Sequence, residues 1–133
     1  QDDINKVVEK LLSLNFLNDL NFAIGRIRYR FETSRWGETR IRLELKQKGV
    51  DSETILQAFA TSYENSVLND NLAKEQAFDM MLRRYEHKVE LENGRFNTKD
   101  YARVSSFLAR KGYSISQIRY CLDLFVETKK DEK

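Results

Sequence analysis

The chain has 133 residues, 41% hydrophobic and 33% charged, with 23 Lys and Arg against 21 Asp and Glu, one His, one Cys and no Pro. That is chain enough for one ordinary domain or for two or three small packed modules, and a single Cys excludes an intrachain disulfide framework. No apolar run approaches the roughly 20 residues that span a bilayer and no secretory leader pattern opens the chain, so the expected setting is cytoplasmic, with no membrane partner.

The absence of Pro and the presence of only five Gly leave little to interrupt helices. Residues 2–14 place Ile4, Val7, Val8, Leu11 and Leu12 on one helical face. Asn15 is a suitable terminator, since Asn tolerates the left-handed conformation. No cap precedes this helix, so the chain is expected to begin within a longer protein. After a short connection, Asn18 or Asp19 is expected to cap a second helix reaching about Thr33. Its inner face is Leu20, Ala23, Ile24, Ile27 and Phe31, while Phe22 and Tyr29 lie nearly opposite with Gly25 beside them. That second face predicts packing between modules, with Gly25 admitting a close neighbour.

A helix from about Glu38 to Lys48 is expected to bury Ile41 and Leu45. Gly49 then follows a lysine-rich last turn, where positive φ is often needed. Asp51 caps the next helix, to about Asn65, with Val50 and Ile55 at hydrophobic-staple spacing and Phe59 and Tyr63 inward. Residues 65–71 are turn-rich and read as a module boundary. A long helix from about Leu72 to Glu90 turns Phe78, Met81, Leu82 and Tyr85 inward. Glu92-Asn93-Gly94 is a turn, and Asn97 caps a helix to Lys111 that buries Val104 and Leu108. Ser114 and Gln117 form a capping-box pair before a last helix, to about Thr128, which buries Ile118, Cys121, Leu122 and Phe125. Lys129 to Lys133 is a charged tail expected to fray.

Leu45, Lys48, Gly49 and Ile55 return 63 positions later as Leu108, Lys111, Gly112 and Ile118. The expectation is therefore an all-α chain of seven helices, one left over followed by two units of three. Charge is segregated along it. Residues 26–48 carry eight Lys or Arg against three Glu, whereas residues 49–73 carry four acids and no Lys or Arg.

Several stretches resemble the RecX family, bacterial regulators of the RecA recombinase. Leu17-Asn18-Asp19-Leu20-Asn21-Phe22-Ala23 is similar to that family's Leu-Asp-Asp-x-x-Phe-Ala segment. Trp36-Gly37, Arg40-Ile41 and Leu45-Lys46-Gln47-Lys48-Gly49-Val50 are similar to its Gly-x-x-x-Ile-x-x-x-Leu-x-x-Lys-Gly signature. Phe107-Leu108-Ala109-Arg110-Lys111-Gly112-Tyr113 with Ile118 is similar to its Phe-Leu-x-Arg-Arg-Gly-Phe motif. The likeness covers roughly residues 2–126 in order and spacing, with Asn18 and Asn15 where the family often has Asp and Gly.

The resemblance implies tandem three-helix repeats in an elongated, curved array. Residues 1–16 would be the last helix of an incomplete first unit, 17–68 the second unit, and 69–133 the third unit with its charged tail. It implies a regulator, not an enzyme, that binds RecA filaments on single-stranded DNA and mainly inhibits their recombinase, ATPase and coprotease activities. It would work as a monomer without cofactor, with direct non-specific DNA contact also open. The expected contacts are Arg26, Arg28, Arg30, Arg35, Arg40, Arg42, Lys46 and Lys48, with Arg103 and Arg110 added from the third unit. Such side chains would meet acidic protein surface or DNA phosphate. The competing reading is a solvated helical face with i, i+4 pairs.

Two further functions compete with filament binding: a helix-rich DNA-binding regulator acting without RecA, and a helical adaptor for another partner. Major-groove reading is disfavoured. The second helix of the turn at Gly49 carries Glu53 and Glu64 and no basic residue, and its counterpart has only Arg119 against Asp123 and Glu127. Trp36 is expected to seal packing between two helices more than to anchor a partner. His87 lacks a zinc-ligand set around it, and Cys121 sits on an apolar face, where free Cys acts as a small hydrophobe. No Gly-rich phosphate loop is present.

Overall fold

In the computed structural model, which describes residues 2–132, the chain forms six helices: α1 (Asp2–Glu32), α2 (Glu38–Gln47), α3 (Ser52–Glu64), α4 (Asp70–Tyr85), α5 (Thr98–Arg110) and α6 (Ile115–Asp131). Outside them, the one extended pairing among the described residues is an isolated bridge between Glu92 and Arg95. Asn93 and Gly94 close it at positive φ, as two-residue hairpin turns require.

Local chemistry sets most helix starts. The Asp51 carboxylate accepts from the Thr54 N–H at 2.8 Å, and the Asn97 side chain from the Asp100 N–H at 2.7 Å. Ser114 and Gln117 make the reciprocal capping box. Each satisfies donors that the first helical turn leaves unpaired. Gly49 and Gly112, equivalent in the 63-residue repeat, both adopt positive φ, +87° and +99°, a conformation that side chains with a Cβ resist.

The helices pack as two triads. The C-terminal half of α1 lies against α2 and α3, and α4 lies against α5 and α6. Ile27, Ile41, Leu45 and Phe59 are fully buried in the first triad; Met81, Val104, Leu108, Cys121 and Phe125 are fully buried in the second. Truncating a buried Leu or Ile of this kind to Ala typically costs about 2–5 kcal/mol. Burial pushes the Cys121 thiol up to about 12, so the residue packs as a hydrophobe.

Several expectations need correction. Asn15 does not end a helix: the two expected N-terminal helices are one continuous α1, giving six helices where seven were expected. The Asn costs a helix only a few tenths of a kcal/mol, and no Gly or Pro lies near it to force a break. Tyr63 is half-exposed, its hydroxyl donating to the Glu38 carboxylate, while Thr54 and Ser62 are the buried polar residues of α3. α4 stops at Tyr85, so that Val89 can turn inward and donate to the Tyr85 carbonyl at 3.0 Å. α6 stays helical through Asp131, beyond the expected fraying point.

Phe22 and Tyr29 are 45% and 49% exposed, and a Cβ on Gly25 would meet nothing within 4 Å. The expected close approach at that face is therefore not made among the described residues. The apolar face of α1 before Leu20 is likewise open: Ile4, Val7, Val8, Leu11 and Leu12 all lie in solvent.

Candidate partner-binding surface

The two triads meet end to end at a pair of glycines. Gly37 heads α2 with no side-chain cap of its own. The N–H groups it leaves unpaired are met by the end of α5: Gly37 N–H donates to the Lys111 carbonyl at 2.7 Å, and Thr39 N–H to the Gly112 carbonyl at 3.1 Å. One helix's orphan donors thus satisfy another's orphan acceptors. The approach leaves no room for side chains, since a Cβ on Gly37 would lie 2.4 Å from the Gly112 carbonyl carbon.

Partly buried polar contacts tie the joint together. The Tyr113 hydroxyl lies 2.8 Å from the Arg35 carbonyl and 2.9 Å from Gln76 Oε1; its single proton serves one of them at a time. Burial raises the Tyr113 pKa, so the hydroxyl keeps that proton. Gln76 Nε2 donates to the Phe31 carbonyl at 2.8 Å, and Arg35 pairs with Asp79 at 2.6 Å.

The structure divides the expected basic stripe. Arg26 and Arg30 converge on Glu44, at 2.6 and 2.8 Å, tying α1 to α2. Burial pushes the Glu44 pKa up, but the hydrogen bonds from Arg30 and Arg26 outweigh it, so the carboxyl lies below its ordinary 4.5. Arg28 pairs with Glu32 on the surface. Arg42 pairs with Glu38 and lies 4.3 Å over the Phe59 ring. Arg103 pairs with Asp100. Trp36 is half-buried at the junction, between the guanidinium groups of Arg30 and Arg40 at 4.1 and 4.0 Å.

Arg40, Lys46, Lys48 and Arg110 have no carboxylate partner among the described residues. Arg40 reaches across the junction, its Nη1 donating to the Arg110 carbonyl at 3.3 Å. Beside this pair the C-terminal ends of α4 and α5 add cations that the sequence reading passed over. Arg84 and Lys111 join Arg40 and Arg110 around the Phe107 ring in a groove of about 470 Å³. Arg84, Lys111 and Phe107 also wall an adjoining groove of about 580 Å³, which reaches Arg35, Arg83 and Lys88. Among the described residues no carboxylate lines either groove. Arg35 and Arg83 share the Asp79 carboxylate, at 2.6 and 2.9 Å, whereas Arg40, Arg84, Arg110 and Lys111 have no carboxylate partner among the described residues; clustered cations of that kind repel one another and focus a positive field. Lys111 had a signal in the sequence, being the repeat counterpart of Lys48. Arg84 and Lys88 had none, because they reach the site only through the tertiary meeting of α4 with α5.

The described residues contain no helix long and apolar enough to cross a membrane. No group of three or more His, Cys, Asp or Glu side chains gathers among them in a way that would hold a metal ion.

Comparison with known proteins adds the following. Residues 18–59 match the family model described as RecX, second three-helix domain. A regulatory protein RecX from Vibrio parahaemolyticus serotype O3:K6 is 32% identical over 120 residues, covering 90% of this chain and 69% of that protein. A regulatory protein RecX from Bacillus cereus strain AH820 is 30% identical over 130 residues, covering 98% of this chain but 44% of the relative. The chain thus spans about two thirds of one relative's length and under half of the other's. The crystal structure of RecX from Lactobacillus salivarius superposes with a TM-score of 0.65 at 24% identity, over 94% of this chain and 75% of that one, a likeness of fold.

Proposed function

The chain belongs to the RecX family of regulatory proteins, and from that premise we propose that it binds RecA filaments on single-stranded DNA and limits their growth and activities. The observation that carries this reading is the carboxylate-free basic face where the two triads join, formed by Arg40, Arg84, Arg110 and Lys111. A filament on DNA offers acidic protein surface and phosphate, and long cationic side chains steer encounter with either. Lys46 lines a neighbouring groove together with Arg40 and Arg110, and Lys48 follows α2 as its C-cap. Arg26, Arg30 and Arg35 act mainly by holding the helices that present the basic face; Arg42 borders the neighbouring groove with Lys46, and Arg28 and Arg103 each pair locally with a carboxylate.

The division of labour we infer follows the repeat. Residues 1–16 belong to a preceding three-helix unit, 17–68 form the second and 69–133 the third. The apolar side chains of α1 ahead of Leu20 contribute nothing to the described core, which supports assigning them to another unit. The regulator works as a cytoplasmic monomer, and any ATP hydrolysis belongs to its partner.

Co-sedimentation of the chain with preassembled RecA filaments on single-stranded DNA tests this reading, with DNA alone as control. Binding to filaments that falls with salt is expected. Equal binding to naked DNA, with no gain from RecA, favours the alternative of a DNA-binding regulator acting without RecA, which the same cationic face supports.

A further inference from the structure

On the other side of the Arg40–Arg110 ridge the surface changes character. α2, α3 and the last turn of α5 enclose a groove of about 620 Å³ walled by Thr39, Leu43, Ile55 and Ala109. A second groove, about 330 Å³, lies between α5 and the start of α6, walled by Tyr101, Ser105, Ile115 and Ile118. Ala109 lines both, so the two meet along one face of α5.

Three large apolar side chains stand in this trough largely in water: Leu43 is 55% exposed, Tyr101 48% and Ile115 78%. Their burial is favourable wherever an apolar group covers them; Tyr101 and Ile115 share the second groove, and Leu43 lines the first, which meets it at Ala109. The Ser105 hydroxyl in the wall is buried and has no hydrogen-bond partner. Around the apolar walls the unpaired charge is positive: Arg40, Lys46 and Arg110 border the first groove beside Arg42, which Glu38 pairs, and Arg119 borders the second, and no carboxylate among the described residues lines either.

We propose that this trough is a docking site for an acidic segment of a partner protein, one carrying two or more large apolar side chains among its Asp and Glu residues. The apolar anchors would seat against Leu43, Ile55 and Ile115, and the flanking carboxylates would meet the cationic rim. This is the pairing of apolar centre and polar rim found where short segments dock in grooves. A nucleic-acid strand fits less well. Its phosphates would suit the rim, but its bases need aromatic or planar faces on which to stack, and the walls are aliphatic apart from Tyr101. The inference concerns a partner's chemistry and stands whether or not that partner is RecA.

The test begins with selection of random displayed peptides against the full chain at low ionic strength. Enriched peptides are then made with a fluorescein label and measured by anisotropy. A shared pattern of large apolar residues flanked by Asp or Glu is expected, with binding that weakens as salt rises. Leu43→Ser combined with Ile115→Ser changes only exposed positions, so the variant keeps its fold by circular dichroism and binds the peptides about tenfold more weakly or worse. Failure of an acidic, apolar pattern to emerge would overturn the proposal, as would equal affinity for the double variant. Labelled oligo(dT) is the second probe. If its binding is what Leu43→Ser and Ile115→Ser abolish, the trough is a nucleic-acid face and the peptide assignment is wrong.

Discussion

Glu44 shows how a single residue divides a run of like charge into structural and available parts. It takes Arg26 and Arg30 out of the solvated stripe by drawing both guanidinium groups between α1 and α2. The pairing spans 18 and 14 positions, and helical periodicity within one segment carries no trace of it. The Glu44 side chain is only 12% exposed, so removing its charge leaves two half-buried cations uncompensated. Glu44→Gln is expected to lower stability at neutral pH by about 1–3 kcal/mol in urea unfolding. The folded-state pKa of Glu44 is depressed, so its contribution is present in full above the unfolded-state value, about 4.3. It is lost as pH falls through the lower folded value. The gap between wild type and Glu44→Gln should therefore narrow on acidification; a gap that stays constant to low pH would show that the carboxylate's charge is not what matters. Cys121 gives a second check at this scale. With its thiol buried and its pKa raised to about 12, thiol reagent should modify the native chain slowly and the urea-unfolded chain at once.

At the scale of elements, starts were more legible than stops. Asp51, Asn97 and Ser114 announce their helices because a cap is a local event, a side-chain oxygen meeting an N–H two or three residues on. Ends depend on what the next residues must bury. α4 ends where Val89 has to turn inward, and α1 runs through Asn15 because nothing there compels a turn. The joint between triads was hidden for a related reason. Gly37 and Gly112 lie far apart in the chain, and each reads alone as an ordinary helix boundary. Their contact predicts contrasting effects of one substitution. Gly37→Ala forces a Cβ into the α5 terminus and is expected to cost roughly 1–3 kcal/mol. Gly25→Ala, in mid-helix with open space around it, is expected to stabilise the chain by about 0.5–1 kcal/mol. Chemical denaturation of the pair measures both; a neutral Gly37→Ala would mean that the triads are not held as described.

The whole molecule is two helix triads that meet where Gly37 and Gly112 come together, with a long helix extending from the first. The repeat, the all-α class and much of the core were readable, since a 63-residue echo and 3.6-residue periodicity survive in sequence. The basic face was read only in part. Arg40 and Arg110 were among the expected residues, but Arg84 and Lys88 come from the end of α4 and the turn after it, whose meeting with α5 is a property of the fold. The extending part of α1 is a consequence at this scale as well. Val7→Ser with Leu11→Ser, both exposed, should leave the unfolding midpoint of the two triads almost unchanged, within about 0.5 kcal/mol. A large loss would mean that this segment stabilises the described units directly.

The proposed engagement of RecA filaments by the basic face at the joint rests on cations that charge reversal can remove. The most direct test is the single-stranded-DNA-dependent ATPase of RecA, titrated with this chain and with an Arg84→Glu, Arg110→Glu variant at low and moderate salt. Both positions are exposed, so the variant should fold normally. Inhibition by the wild-type chain that weakens with salt, and is largely lost in the variant, is expected. An ATPase untouched by the wild-type chain, or inhibited equally by the variant, would contradict it.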